Sequence, residues 1–330
     1  MKKIFLIIIT ALFLSACNSG ASLLPGVSGS AGEVLLIAGN EYLDGPLVTC
    51  LHEVLSKEYF ILPQSEPMFE VRKIGWQVYS KIFESHRNQI KIYISAEYEE
   101  AKLIAHNDEY ASPQIIINIA APNEESAIAL VEEKQETIIE LLEQAERNRT
   151  LANAVKYPET TTYAEVKNLF GGSLTFPSGF RTTNIKNENF VWVVQNIRKA
   201  MLGILVFSYP YVDGESFELE RLISTQNKIL QANMPSSAEG SYMQIGTVVE
   251  PKLRFLRYND ILFGEMRGLW NVENGFMGGS FVSHSFLDKE EKNVIVTMAF
   301  VYAPNSAKRN YIRQAEAVLF SWEWMKNKEE

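Results

Sequence analysis

Ile261-Leu-Phe-Gly-Glu-Met-Arg-Gly-Leu-Trp-Asn-Val272, Gly279-Ser-Phe-Val-Ser-His-Ser-Phe286 and Val294-Ile-Val-Thr-Met-Ala-Phe-Val-Tyr302 are three strand-length runs that follow one another almost without pause. Glu273-Asn274-Gly275 parts the first two, and Asp288-Lys-Glu-Glu-Lys-Asn293 parts the second and third. Asn-Gly supplies the backbone freedom that a tight reversal needs. Connections this short join only antiparallel neighbours, because a parallel return needs a crossover of a dozen residues or more. The segment therefore predicts an antiparallel meander, with a fourth strand before it near Thr247–Tyr258. Helices expected at Phe217–Ala232 and Ser306–Met325 would cover one face of that sheet, which makes the region α+β.

Upstream, the same half is expected to hold strands near Leu174–Phe176, Phe190–Gln195 and Gly203–Ser208. Gly171-Gly172 ends a short helix opened by Thr160-Thr161-Thr162 and marks a domain boundary, giving domains over 33–170 and 171–330. The first half alternates strand and helix, as α/β or α+β packing requires. Strands are predicted at Glu33–Gly39, Met68–Val71, Ile90–Ile94 and Gln114–Ala120, and helices after Asp44-Gly45-Pro46, at Trp76–Ser85 and at Glu97–Ile104. Asn123-Glu-Glu-Ser opens the longest helix, which Pro158 stops after Tyr157. Its apolar stripe is interrupted by Gln135 and Arg149, so a helix lying across a sheet or bridging two halves fits better than a coiled-coil seam. Cys50 shares a helical face with Leu47, Val48, Leu51, Val54 and Leu55, so a buried, inert thiol is expected.

The amino terminus carries a different kind of signal. Lys2 and Lys3 precede an apolar run from Ile4 to Leu14 that closes on Leu14-Ser15-Ala16-Cys17. Eleven helical residues cover about 16 Å, against roughly 30 Å of bilayer hydrocarbon, so the run reads as a signal peptide over residues 1–16 and not as a span. The Leu-Ser-Ala-Cys close resembles the lipobox of bacterial lipoproteins, which implies cleavage before Cys17, lipid attachment on its sulfur and acylation, with palmitate for example, of the new amine. Residues 17–32, rich in Gly, Ser and Ala, then form a tether with a reach of about 20 Å. The expected address is the cell envelope, as an outer-membrane lipoprotein facing the periplasm. The chain of 330 residues has a net charge of −9, and loss of Lys2 and Lys3 would make it −11. Such a body does not seek phosphate backbones, so nucleic acid is excluded as a partner. With Cys17 lipidated, Cys50 has no partner for an intramolecular disulfide.

Motifs with sharp catalytic spacing are absent: there is no G-x-x-x-x-G-K, no G-x-G-x-x-G and no G-x-S-x-G. His52-Glu53 begins like a zinc helix, but Ser56 stands where the second imidazole must be. No cofactor, metal site or catalytic residue is expected. The densest unusual segment runs from Gly264 to Phe286. Alternation puts Glu265, Arg267, Leu269 and Asn271 on one strand face, and Met266, Gly268, Trp270 and Val272 on the other. Glu265, Arg267, Trp270, Phe276, Met277, Gly278 and Gly279 are the candidate binding surface, where aromatic faces, an Arg–Glu pair and glycines meet a polar ligand such as a sugar or peptide. The alternative is structural: Trp270 and Met277 in the core, Glu265 paired with Arg267, and glycines in a bulge. His284, between Ser283 and Ser285, is expected to face solvent.

Gly240-Ser241-Tyr242-Met243, Met266-Arg267-Gly268-Leu269-Trp270, Met277-Gly278-Gly279-Ser280-Phe281-Val282 and Phe300-Val301-Tyr302-Ala303-Pro304 are similar to motifs of a Bacteroidota lipoprotein family of unknown function, the domain of unknown function 4837. Leu62-Pro63-Gln64-Ser65-Glu66-Pro67-Met68-Phe69 and His86-Arg87-Asn88 resemble the same family in the first half. The resemblance implies a lipid-anchored envelope protein and carries no assigned activity. A non-catalytic binding or scaffolding module is the expected function, with an envelope protein, a glycan or a peptide as partner. An envelope hydrolase using Glu265 and Arg267, or a glycan- or peptide-capturing lipoprotein, is the alternative.

Overall fold

Two sheets built on opposite pairing rules organise the chain, whose computed structural model describes residues 24–325. Residues 1–23, with the expected signal peptide, Cys17 and part of the tether, lie outside the described residues. The first sheet has the order β2 (Glu70–Gly75), β1 (Glu33–Ala38), β3 (Asn88–Ile94), β5 (Ile115–Ala121), β4 (Lys102–Asn107). Its first four strands are parallel, and β4 closes the edge antiparallel to β5. Val34, Leu36, Ile90, Ile117 and Ile119 are buried, as the near-continuous apolar runs of a doubly covered parallel sheet require.

Helix α1 (Pro46–Leu55) starts with Pro at its first position, and the Leu47 amide donates to Glu124 Oε1 at 3.1 Å. Asn123 caps the long helix that follows β5 by accepting from the Ser126 amide at 2.9 Å. Its apolar residues Val131, Ile138 and Leu142 share one core with Leu47, Leu51 and Leu55 of α1. Cys50 sits at the rim of that core, partly buried where full burial was expected. Burial first, then Glu132 and Glu53, push its thiol up and keep it protonated.

Of two further helices expected in this half, one is reduced to a single turn and the other is not formed. Of Trp76–Ser85 only α2 (Lys81–Glu84) is helical. Trp76 instead lies on the far face of the sheet, 5.0 Å from the Tyr93 ring, its indole donating to the Ile92 carbonyl at 3.1 Å. Covering that face outweighs the weak helical spacing. Glu97–Ile104 becomes a turn and the start of β4, because the open edge of β5 offers backbone partners from Ala120 to Ile115.

The 33-residue helix, α3 (Glu124–Lys156), is followed by α4 (Thr160–Phe170), which ends at Gly171 in the left-handed region, φ 66°. The second sheet comprises β7 (Arg181–Asn187), β8 (Phe190–Ile197), β9 (Ala200–Pro210), β10 (Met243–Ile245), β11 (Lys252–Tyr258), β12 (Ile261–Val272), β13 (Gly278–Leu287) and β14 (Asn293–Tyr302). Its order is β10-β12-β13-β14-β9-β8-β7, with β11 beside β10 along β12, and every pairing is antiparallel. The meander from β11 to β14 is the one expected. Asn259 and Asp260, both at positive φ, make the two-residue turn into β12.

Helices cover both faces of this sheet, where one was expected. α5 (Leu219–Asn233) lays Leu222 and Leu230 on Met266, Trp270, Phe281 and Met298. α4 and α6 (Arg309–Leu319) bury Val166, Phe170, Ile312 and Val318 against Val282, Phe286 and Ile295 on the other. α6 stops well short of Met325, because Trp322 turns inward onto Phe286, ring centroids 5.1 Å apart. Leu174 and Phe176 are buried without strand structure; the neighbouring β6 (Gly172–Ser173) and β15 (Glu323–Trp324) form a two-stranded ribbon.

The halves are joined through α6. The amides of Lys308 and Arg309 donate to the Glu66 carboxylate, and Arg309 Nη1 donates to the Pro67 carbonyl at 2.7 Å. Arg313 pairs bidentately with Glu143 of α3. So α3 does bridge the two halves. This mixed α+β architecture leaves a cleft between α3 and the edge of the second sheet.

Candidate functional site

The cleft has a volume of about 600 Å³, within the range of small-ligand sites. Its floor is a chain of buried charges. Glu265, on β12, is fully buried, and two arginines hold it. Arg254 Nε of β11 donates to its Oε1 at 2.7 Å, while Arg267 donates from Nε to Oε1 at 2.8 Å and from Nη2 to Oε2 at 3.2 Å. Arg267 also grips Glu316 of α6, from Nη2 and from Nη1, the latter at 3.2 Å. Tyr59, from the first half, donates to Glu316 Oε2 at 3.2 Å. Strand alternation explains the arrangement: 265 and 267 point to the same side, and register puts Arg254 opposite Glu265.

The electrostatics follow from this geometry. Burial by itself would raise Glu265, but Arg267 and the hydrogen bonds hold its carboxyl well below the usual range. Burial by itself would lower Arg267, but Glu316 and Glu265 together hold it well above the usual value. Burial first, then Glu316 and Glu143, push the Tyr59 phenol up. His284 is buried, which corrects the solvent-facing expectation: it shares the face of Glu265 through the β12–β13 register. Its ring stacks on Phe263 at 4.1 Å and meets the edge of Phe320 at 4.7 Å. Burial lowers its pKa against the pull of Glu265, and Nε2, 3.5 Å from Glu265 Oε2, completes no hydrogen bond.

Chemically, the floor is settled. Glu265 stays ionised, Tyr59 stays protonated, and neither is poised to exchange a proton near neutrality. The rim is different. Arg147 of α3, whose guanidinium lies 3.5 Å over the Phe320 ring, stands there with Lys252 and Arg257 of β11. Among the described residues none of these three forms an ion pair. Arg254 is 61% exposed along its side chain and spends only Nε on Glu265. Phe60 and Tyr258 supply aromatic surface beside them.

The seven residues singled out in the sequence do not form one site. Glu265 and Arg267 floor the cleft. Trp270 lies on the opposite sheet face, buried against Phe300 with its indole donating to the Val301 carbonyl at 3.2 Å. Phe276 is fully exposed at the hairpin tip, and Met277 leans on the α5-side core. A Cβ on Gly279 would stand 2.0 Å from the Val301 oxygen, and one on Gly278 2.8 Å from the Trp270 oxygen. These glycines admit neighbouring backbone, not a ligand. Sequence reading missed Tyr59, Arg147, Lys252, Arg254, Arg257 and Glu316. Only Arg254 had an available signal, its position in a hairpin register across from Glu265. Among the described residues no group of three or more His, Cys, Asp or Glu side chains is placed to hold a metal ion.

An antiparallel sheet covered by helices, docked through α6 on a parallel sheet, defines a two-part α+β protein with a charged cleft between the parts. Residues 159–321 match the family described as Domain of unknown function (DUF4837), and residues 27–155 match Domain of unknown function (DUF8532). Each half thus matches a different domain of unknown function, and neither description assigns an activity. No curated protein matches the chain.

Proposed function

We propose that the chain is a lipid-anchored envelope protein that binds an anionic, partly apolar ligand in the cleft and does no chemistry on it. One observation carries the reading: Arg267 and Arg254 balance the floor carboxylates Glu265 and Glu316, while the rim adds Arg147, Lys252 and Arg257 against a single exposed carboxylate, Glu140, that has no ion pair among the described residues, in a protein of net charge −9. Such a local sign reversal concentrates anions at the mouth, and the rings of Phe60, Tyr258 and Phe320 favour an apolar portion. A hydrolase working through Glu265 fits less well, since a carboxylate held by two arginines is a weak base. The anchor rests on Leu14-Ser15-Ala16-Cys17, and the outer-membrane, periplasm-facing address is part of the same proposal.

The test uses anilinonaphthalene sulfonate, an aromatic anion whose fluorescence reports binding. It should bind the wild-type chain, weaken with added salt, and lose at least tenfold in affinity in the double variant Arg147→Glu, Lys252→Glu. Equal affinity in wild type and variant would remove the cleft from consideration.

A further inference from the structure

β11 is an edge strand. It pairs with β12 from Lys252 opposite Arg267 to Tyr258 opposite Ile261, and among the described residues its other edge has no backbone partner. That open edge borders the cleft, since side chains from both faces of β11 line it. Resting on the binding role proposed above, we infer that the ligand is an acidic peptide in extended conformation, which adds to β11 as a further strand of the second sheet.

The face of β11 turned toward the cleft floor carries a definite pattern. Lys252 lies over the Phe60 ring at 5.0 Å, Arg254 reaches Glu265, and Leu256 and Tyr258 lean on the core shared with α6. In order this face reads cation, cation, apolar, apolar at every second residue. A strand laid alongside, about 4.8 Å away, brings its own alternate side chains opposite these. Its matching face must therefore offer two carboxylates two residues apart, followed or preceded by two apolar side chains. The unused terminal nitrogens of Arg254 have the fork geometry for a carboxylate. Backbone bonds supply affinity without regard to sequence, and the alternate side chains set the preference.

A second copy of this chain matches the edge less well than an acidic strand does. Paired parallel and in register, two β11 strands bring Lys252, Arg254 and Arg257 against their own counterparts, and like charges across a ladder are destabilising. Paired antiparallel with full overlap, Lys252 meets Tyr258 and Arg254 meets Leu256, so no cation finds a carboxylate. An acidic strand supplies the carboxylates that either self-pairing lacks, and cationic edges are a recurrent guard against self-pairing.

The experiment titrates the full chain into fluorescein-labelled heptapeptides, Asp-Thr-Glu-Thr-Leu-Thr-Phe and its reversed order, and reads anisotropy. Because strand direction is open, binding of one of the two is the expected result. Residues of a strand send their N–H groups alternately to opposite edges, so two N-methylated forms of the binding peptide are compared. One carries methyls on the threonines, the other on the remaining alternate positions. Strand addition requires that one set cost tenfold or more and the other leave affinity near the parent value. Lys252→Glu, at an exposed position, should weaken the parent peptide about tenfold. If both methylated forms bind like the parent, or both fail alike, strand addition is wrong. If anilinonaphthalene sulfonate binds the cleft but neither peptide does, the strand inference falls and the anion-binding reading stands. If neither probe binds, both fall. Concentration-dependent dimerisation of the free chain, abolished by Lys252→Glu, would assign the edge to a second copy and overturn the peptide.

Discussion

Removing Arg267 is the most direct test of how the cleft floor is held. Its guanidinium is mostly buried and bridges Glu265, whose side chain has no exposure, to Glu316, whose side chain is 8% exposed. Arg267→Ala therefore strands two carboxylates at once. Breaking a buried ion pair from one side typically costs about 3–5 kcal/mol, because the remaining charge keeps its desolvation penalty and loses its partner. Arg254 still holds Glu265 Oε1, and Tyr59 still donates to Glu316, so the lower end, about 3 kcal/mol, is expected at pH 7. For domains of this size each kcal/mol moves the melting point by about 2–4 °C, so a fall of about 6–12 °C should appear by calorimetry. The pH dependence has a sign that separates this account from simple loss of packing. In the wild type Glu265 has a depressed pKa, so its contribution is present above the unfolded value near 4.3 and is lost as pH falls below it. In the variant, buried carboxylates with less compensation take up protons more readily, which relieves them as pH falls from 7 toward 5. The gap between wild type and variant should narrow over that window. A melting point within about 2 °C of wild type at pH 7, or a gap that widens toward pH 5, would refute the argument.

Two further changes test the anchor and the hairpin. Cys17→Ser should release the chain from membranes or block its processing, since two or more acyl chains are needed for firm attachment at about 0.8 kcal/mol per buried CH₂; membrane fractionation decides, and wild-type partitioning of the variant would end the anchor proposal. Gly279→Ala should destabilise by at least about 1–3 kcal/mol, because its Cβ would meet the Val301 oxygen at 2.0 Å and β13 must part from β14 to admit it. Chemical denaturation measures it, and an unchanged midpoint would show that this close approach is not required.

Legibility in the sequence tracked how local each determinant was. The meander was readable because Asn274-Gly275 and the charged 288–293 turn are short-range signals flanked by alternating strands. The long helix was readable from Asn123 at one end and Pro158 at the other. Trp76–Ser85 and Glu97–Ile104 were misread because their conformations are set by partners elsewhere: the aromatic cover on Tyr93 for one, the bare edge of β5 for the other. The site divided in the same way. The Glu265–Arg267 pairing is an i, i+2 relation on one strand and could be seen directly. Glu316, which binds Arg267, and Tyr59 and Arg147, which join the same cleft, come from 49, 206 and 118 residues away from Glu265 or Arg267 along the chain, with no spacing to announce them. His284 was misplaced for a related reason. A histidine between serines looks polar on both sides until the register with β12 shows that it must share the face of Glu265.

Two motifs singled out in the first half, where the match is to DUF8532 and not to DUF4837, acquire a reason in this architecture. Glu66, within Leu62–Phe69, receives the first amides of α6 and fixes that helix against the parallel sheet. Asn88, within His86-Arg87-Asn88, donates to Glu146 Oε1 at 2.8 Å and accepts from Arg149 Nη2 at 2.8 Å, locking α3 onto the end of β3. Glu143 lies one turn from Glu146 on α3 and holds Arg313 of α6, which also stacks over the Tyr59 and Phe69 rings. Of the residues in these contacts, Glu143 and Tyr59 also line the cleft, while Glu66, Asn88, Glu146 and Arg149 do not. The contacts decide where α3 stands relative to β11. Without the first half the second sheet would keep its cationic edge and its buried Glu265, but it would lack Arg147, Tyr59 and Phe60, and the edge would face open water. The cleft is thus a property of the joint between the halves, and its shape is held by polar contacts, of which the Glu143–Arg313 pair stands one helical turn from Arg147 on its rim.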